Sequence, residues 1–476
     1  MIATTLTDLA AQCGGEVLGG EPFNVFDAVS TDTRSLMGGE LFVALAGERF
    51  DAHHFLDAAI EEGAAGLLIS DASAWQGSRE DRGEKRPAVI LVDDTLLALQ
   101  RLAAFQRGML EMPVIVVTGS SGKTSTKDML AAVLGRRYKV SATRGNLNNH
   151  IGLPLSILEV SAEHSAAVWE IGMNHRGEIA PLAAIARPDV AVVTNVGVAH
   201  IEHLGSREEI CEEKGDLIAA LREGGTAIFP AADEFADRLA QRTACRVIRP
   251  SFGEGEVAAS EVVSRSDGTM AFVLECGGET AQVRLPVLGR HMVANALLAA
   301  AVGYLQGIPV EEIAEALGGV SLGGGRLQRH EVNGVVLIDD SYNANPESMA
   351  AALQTLGAQP CAGRRIAVLG GMAELGDFRE REHRRIGALA AKRAIDLILT
   401  VGDEAIWIGE EAEQTEQTEL AERGKRLEHM HFDTHSACVE RLKQIVSEGD
   451  CILFKGSRSA RMELVLEGFN EPLILR

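Results

Sequence analysis

Apolar and polar positions follow two rhythms along most of this chain. Short aliphatic and β-branched runs recur: Leu41-Phe42-Val43-Ala44-Leu45, Val114-Ile115-Val116-Val117, Ala166-Ala167-Val168-Trp169, Val190-Ala191-Val192-Val193, Val335-Val336-Leu337-Ile338 and Ile366-Ala367-Val368-Leu369. They are continuous rather than alternating, which predicts strands buried on both faces of parallel sheets. Helical stretches separate them, such as Asp128 to Leu134, an alanine- and leucine-rich segment after Leu288, and one behind Pro309. Strand and helix in alternation give an α/β fold. Residues 256–288 differ: short alternating runs broken at Asp267-Gly268 and Gly277-Gly278 predict antiparallel hairpins.

The expected architecture has three domains. Residues 1–94 form a small N-terminal α/β domain, with Thr7 capping a first short helix. Residues 95–320 form a central, mostly parallel sheet with helices on both faces. Residues 321–476 form a C-terminal Rossmann-like α/β domain, and Gly323-Gly324-Gly325 is the expected hinge. Trp75 to Pro87 reads as a surface excursion, and Glu410 to Glu428 as exposed helix or loop without chemistry.

Composition narrows the function. At 476 residues the chain exceeds one core. Its net charge of -23, from 45 Lys+Arg against 68 Asp+Glu, and its 4% aromatics disfavour nucleic-acid binding, while local basic pockets for anions stay open. The 7 cysteines are scattered without a Cys-x-x-Cys pair, which fits free thiols in a reducing cytoplasm. The first residues lack a signal-peptide pattern, and no apolar run is long enough to span a bilayer. A cytoplasmic monomer without membrane insertion is expected.

The chemistry centres on Val114-Ile115-Val116-Val117-Thr118-Gly119-Ser120-Ser121-Gly122-Lys123-Thr124-Ser125-Thr126. A buried strand, a turn of small residues and a helix start form a phosphate cradle, with backbone N–H groups and the helix dipole facing the anion. Lys123 is placed for β- and γ-phosphates and Thr124 for magnesium. Val117 stands where the general phosphate-loop pattern has glycine, so this loop is a shorter form. Asn146, Asn148 and Asn149 suggest a ligand-facing loop. Glu170 is an acid in an apolar run and needs a partner or a cation. Glu170, His200 and Thr124 fall at or after strand C-terminal ends, which share one crevice in an open sheet. Histidine is an unusual magnesium ligand, so only the joint arrangement makes His200 a metal candidate. Lys214, on a charged helix, reads by spacing as solvated. Ser30, Asp32, Arg34 and Arg49 read either as a phosphate-holding cluster or as solvated loops with local salt bridges.

Over almost its whole length the chain resembles the Mur ligase family. The short loop Thr118-Gly119-Ser120-Ser121-Gly122-Lys123-Thr124 looks like that family's. Four further stretches carry the likeness: Ser30 to Arg34, Phe42 to Asp51, Asp339-Asp340-Ser341-Tyr342-Asn343-Ala344-Asn345-Pro346, and Ala373-Glu374-Leu375-Gly376. Within the family they point to the member joining D-Ala-D-Ala to a UDP-N-acetylmuramoyl-tripeptide. The resemblance implies an ATP-dependent amide ligase of peptidoglycan synthesis working through an acyl phosphate. It implies ATP on Gly119, Ser120, Ser121, Gly122, Lys123, Thr124 and Ser125, with Asn295, Arg326, Asp340 and Tyr342 around the nucleotide. It implies two magnesium ions held by Thr124, Glu170, His200 and a carbamylated Lys214. Lys123, Lys214, His200, Asn148 and Arg326 would serve catalysis. Ser30, Asp32, Arg34 and Arg49 would hold the uridine diphosphate part, while Asn146, Asn149, Lys455 and Ser457 would meet the remaining substrate. His150 and Gly371 stand where the family commonly has acids. The alternatives are a sibling or folylpolyglutamate-synthase-like ligase adding one amino acid, a switch GTPase, which lacks its Asn-Lys-x-Asp here, and a non-catalytic nucleotide-binding scaffold.

Overall fold

The computed structural model describes residues 1–47, 50–77, 87–423 and 427–470, with backbone alone for 76–77 and 417–423. The first sheet has five strands: β1 (Glu16–Gly19), β2 (Val29–Ser30), β3 (Leu41–Val43), β4 (Gly66–Ile69) and β5 (Ala88–Leu91). Their order is β1-β5-β4-β3-β2, parallel except for β1. Thr5, not Thr7, caps the first helix, Leu6–Cys13: its hydroxyl accepts the Asp8 N–H and donates to the Asp8 carboxylate, while Thr7 Oγ1 donates to Pro22 O. Trp75 does not begin a surface excursion, because it is buried inside the helix Ala72–Gly77; residues 78–86, the rest of that expectation up to Pro87, lie outside the described residues.

After α1 (Thr95–Met109), capped by Asp94, comes the central sheet. Its strands are β6 (Val114–Thr118), β7 (Val140–Ala142), β8 (Ala166–Glu170), β9 (Val190–Val193), β10 (Thr226–Ile228) and β11 (Arg246–Ile248). All pairs are parallel, in the order β11-β10-β9-β6-β8-β7. The continuous apolar runs sit here for the expected reason: Val114 to Val117 are fully buried, as a strand covered on both faces requires. The chain enters at β6 in the middle, goes out to β7 and then crosses to β9. That reversal opens a crevice at the carboxyl ends of β6, β8 and β9. The helices α2 (Lys123–Leu134) and α3 (Arg207–Ala219) come after β6 and β9.

The region from 251 to 285 forms a separate four-stranded sheet, three of whose strands pair antiparallel, as the turn signals predict. It leads into α4 (Arg290–Leu305). The last sheet holds β12 (Gln328–Val332), β13 (Val335–Asp340), β14 (Arg365–Gly370), β15 (Leu397–Val401), β16 (Glu428–Phe432) and β17 (Cys451–Lys455), in the order β12-β13-β17-β14-β15-β16. Only β12 runs antiparallel. Between β13 and β14 lies α5 (Pro346–Ala358), opened by Pro346 and capped reciprocally by Asn345 and Ser348. The acidic stretch after Glu410 belongs to the helix Ile406–Arg423. It is less exposed than expected, because Ala412 and Glu416 are buried and Glu416 accepts the Leu427 N–H. Of the expected hinge glycines only Gly325 has a left-handed backbone (φ 71), and its carbonyl accepts the Tyr342 N–H. No helix among the described residues is long and apolar enough to cross a membrane, and the seven cysteines are unpaired.

Candidate active site

A cavity of about 790 Å³ opens at the crevice, where the central lobe faces the third. Its floor is the phosphate loop. Gly119 is needed at φ 151, and a Cβ there would lie 1.8 Å from Thr194 Oγ1. Gly122, at φ 77, caps α2 and packs against the Asn295 amide. The residues after β9 fix the loop's shape. Asn195 Oδ1 accepts the Ser121 N–H at 3.0 Å, and Asn195 Nδ2 donates to Ser121 Oγ at 2.9 Å. Thr194 Oγ1 donates to Ser121 O, and Ser120 Oγ accepts the Gly197 N–H. Lys123 Nζ donates to Gly119 O at 2.8 Å. Burial lowers the Lys123 pKa, opposed by the Glu170 and Glu374 carboxylates.

The buried acid Glu170 ends β8 and finds donors on both oxygens. Thr124 Oγ1 donates to Oε2 at 2.9 Å and Asn148 Nδ2 to Oε1 at 2.7 Å. His200 sits in a left-handed conformation (φ 65) seven residues after β9. Its Nδ1 contacts the carboxylate of Glu374, which reaches across from the third lobe. The His200 imidazole beside it holds the Glu374 carboxyl below its ordinary pKa. Among the described residues no three His, Cys, Asp or Glu side chains form a ready-made metal cluster. The hard-oxygen pair Thr124–Glu170, beside the phosphate loop, is nonetheless a donor set that suits magnesium.

The opposite wall comes from the third lobe. The Arg326 guanidinium lies over the Tyr342 ring at 4.1 Å. Lys455 is buried, and its ammonium donates to Asp340 Oδ2 at 2.6 Å and to Asn343 O at 3.0 Å. Burial raises the Asp340 pKa despite that ammonium. Asn345 Nδ2 donates to Ser120 O at 3.0 Å, so the cap of α5 also touches the phosphate loop.

Most residues singled out in the sequence meet here, and a few do not. Ser120 to Ser125 line the cavity, with Asn146, Asn148 and Asn149 on one flank. Glu170, His200, Asn295, Arg326, Asp340, Tyr342 and Lys455 complete it. Asn149 is in part a structural cap, accepting the Ile151 and Gly152 N–H groups. Gly119, the loop's first glycine, packs against Thr194 and is not among the residues lining the cavity. Lys214 corrects the reading from spacing: it is buried on α3, 1% exposed, because the helix packs that face inward. Ser457 is buried off the cavity, its N–H donating to Gly371 O. Ser30, Asp32 and Arg34 do meet, in the turn after β2, where Arg34 and Asp32 form an exposed pair at 2.6 Å. They lie away from this cavity, and Arg49 lies outside the described residues. Asn195, His291, Glu347, Glu374 and Arg458 also line it, and the sequence pattern assigns none of them a role. Of these, only Glu374 stands in one of the family-like stretches.

Family models match three segments: "Mur ligase family, catalytic domain" over residues 25–107, "Mur ligase middle domain" over 117–303, and "Mur ligase, glutamate ligase domain" over 325–458. A UDP-N-acetylmuramoyl-tripeptide–D-alanyl-D-alanine ligase of Bacillus subtilis is 38% identical over 473 residues, covering 99% of each chain. The crystal structure of MurF from Acinetobacter baumannii superposes with a TM-score of 0.85 at 33% identity, covering 98% of each chain. The MurF ligase of Thermotoga maritima, solved in complex with ADP, gives 0.79 at 29% identity over 93% of this chain and 96% of that one. With these matches and the cavity just described, the chain belongs to the Mur ligase family.

Proposed function

We propose that this chain uses ATP to join D-alanyl-D-alanine to the free carboxylate of UDP-N-acetylmuramoyl-tripeptide, a step in the cytoplasmic synthesis of peptidoglycan precursors. The observation that carries the reading is the cavity in which a phosphate loop, a Thr124–Glu170 pair and a polar third-lobe wall face one another. The relatives supply the substrates: the Bacillus subtilis protein is named for that tripeptide and dipeptide, and the Thermotoga maritima structure holds ADP.

A carboxylate and an amine do not condense unaided in water. In the proposed sequence a tripeptide carboxylate oxygen attacks the γ-phosphorus and ADP leaves. The dipeptide nitrogen then attacks the acyl carbon, loses a proton, and inorganic phosphate leaves. Lys123 and the loop N–H groups hold the phosphates, and Arg326, Asn295, Asp340 and Tyr342 hold the nucleotide from the other side. Thr124, Glu170, His200 and a carbamylated Lys214 would hold magnesium, which neutralises charge on the transferring phosphoryl group. Support for carbamylation is chemical. Burial depresses the Lys214 pKa well below the ordinary lysine value, and a neutral amine is the form that adds carbon dioxide. We further propose that residues 1–94 receive the uridine diphosphate part, 95–320 the ATP, and 321–476 close over both.

The test is phosphate release from ATP by the purified full chain. Release should require both the UDP-linked tripeptide and D-Ala-D-Ala. Release supported equally by single amino acids would instead indicate a sibling ligase.

A further inference from the structure

One carboxylate joins the third lobe to the loop between β9 and α3. Glu347 is the second residue of α5, and its Oε1 accepts the Val198 N–H at 2.9 Å. Its carboxyl group also occupies the space over Gly197. A Cβ on Gly197 would lie 2.4 Å from Glu347 Cδ and 2.6 Å from Oε2. Gly197 is not among the glycines with a left-handed backbone, so its own conformation does not call for glycine. What leaves it without a side chain is the incoming carboxylate. An acid in the first turn of α5 complements the helix dipole, but that explains nothing about a glycine on the opposite lobe. Oε2 is buried without a hydrogen-bond partner, and Glu347 borders the cavity. Burying a carboxylate so sparsely partnered is costly, so its place calls for a specific account.

We infer that Glu347 is a positioning residue, a key seated in the Gly197 notch that holds the third lobe over the phosphate loop and fixes the loop bearing His200. The inference rests on the ligase reading for its chemical consequence. A seated lobe keeps water from the acyl phosphate. With water as nucleophile the acyl phosphate returns to carboxylate and phosphate, and the ATP is consumed without an amide. A loosened lobe therefore shows as phosphate released in excess of amide formed, which a residue serving only stability would not produce.

The experiment compares Glu347→Ala, Glu347→Gln, Gly197→Ala and the double variant Gly197→Ala/Glu347→Ala in the full chain. It reads amide formed per phosphate released and, without substrates, the radius of gyration by small-angle scattering. Glu347→Ala should lose about ten-fold in amide per phosphate, the scale of one charge-assisted hydrogen bond. Glu347→Gln keeps the acceptor oxygen and should stay within about two-fold. Gly197→Ala should fall at least as far as Glu347→Ala, since its methyl group meets the carboxyl. The double variant should return to the Glu347→Ala level, because the shortened side chain leaves room. Both alanine variants should enlarge the radius of gyration. Unchanged coupling in Glu347→Ala, or losses that multiply in the double variant, overturns the inference. If Gly197→Ala does not fold, the Glu347→Ala and Glu347→Gln comparison decides alone. A wild-type chain without dipeptide-dependent phosphate release would overturn the ligase reading instead, and scattering would still decide the docking.

Discussion

Lys214 carries its amine into the protein interior on α3, and its strongest charged neighbour is another lysine, Lys123. Burial first, and that neighbour second, push its pKa well below the ordinary lysine value. A lysine kept there for stability alone would be a poor choice, since methionine fills similar volume without a polar atom. Lys214→Met should therefore leave the thermal midpoint unchanged or higher while turnover falls by about 100-fold, the result the proposed magnesium-holding role requires. Calorimetry and phosphate release on the same preparation separate the two effects. His291 makes a different statement about protons. Burial, and then the Lys455 ammonium, hold its pKa at about 4. The unfolded chain takes up this proton near the ordinary value of 6.5, and the folded chain only near 4. Between those values the unfolded state binds more protons, so stability falls as pH drops through that window. Unfolding midpoints of the wild type and His291→Gln, measured from pH 7 to pH 4, should converge on acidification, because glutamine takes up no proton.

At the scale of elements, the phosphate loop is shaped as much by Thr194 and Asn195, just beyond β9, as by its own glycines. Gly119→Ala meets Thr194 Oγ1 and also strains a backbone at φ 151, a penalty of about 1–3 kcal/mol placed in the loop itself. ADP affinity by titration calorimetry should fall about ten-fold or more, with the far-ultraviolet circular dichroism unchanged. Adding Thr194→Ala should recover only part of it, since the collision goes and the strained backbone stays. The central strands and α2 were legible from sequence because a continuous apolar run, a small-residue turn and a helix start are local signals. So was the Asp32–Arg34 pair, two residues apart. The burial of Lys214 was not legible, because α3 is amphipathic only weakly and its inward face is chosen by packing. The roles of Glu347 and Glu374 were hidden for another reason: each meets a partner more than a hundred residues away in the chain. No local period encodes such a meeting.

At the scale of the whole molecule, the reaction needs two lobes to agree on one geometry, and Asn345 serves both. Its Oδ1 caps α5 by accepting the Ser348 N–H at 2.9 Å, and its Nδ2 donates to Ser120 O in the phosphate loop at 3.0 Å. These duties separate chemically. Aspartate is as good a helix cap as asparagine, but it has no N–H to give and turns a second oxygen toward the Ser120 carbonyl. Asn345→Asp should therefore keep the chain's unfolding midpoint and weaken the third lobe's grip on the loop. The expected result is a rise of about ten-fold in KM for ATP, the scale of one lost hydrogen bond plus carboxylate–carbonyl repulsion. Asn345→Ala removes cap and donor together, and should lower the midpoint as well, by about 1 kcal/mol of helix stability. If the aspartate variant instead matches the wild type in KM, the amide serves α5 alone. The lobes would then be joined through Glu347 and Glu374, with the phosphate loop left free of the third lobe's cap.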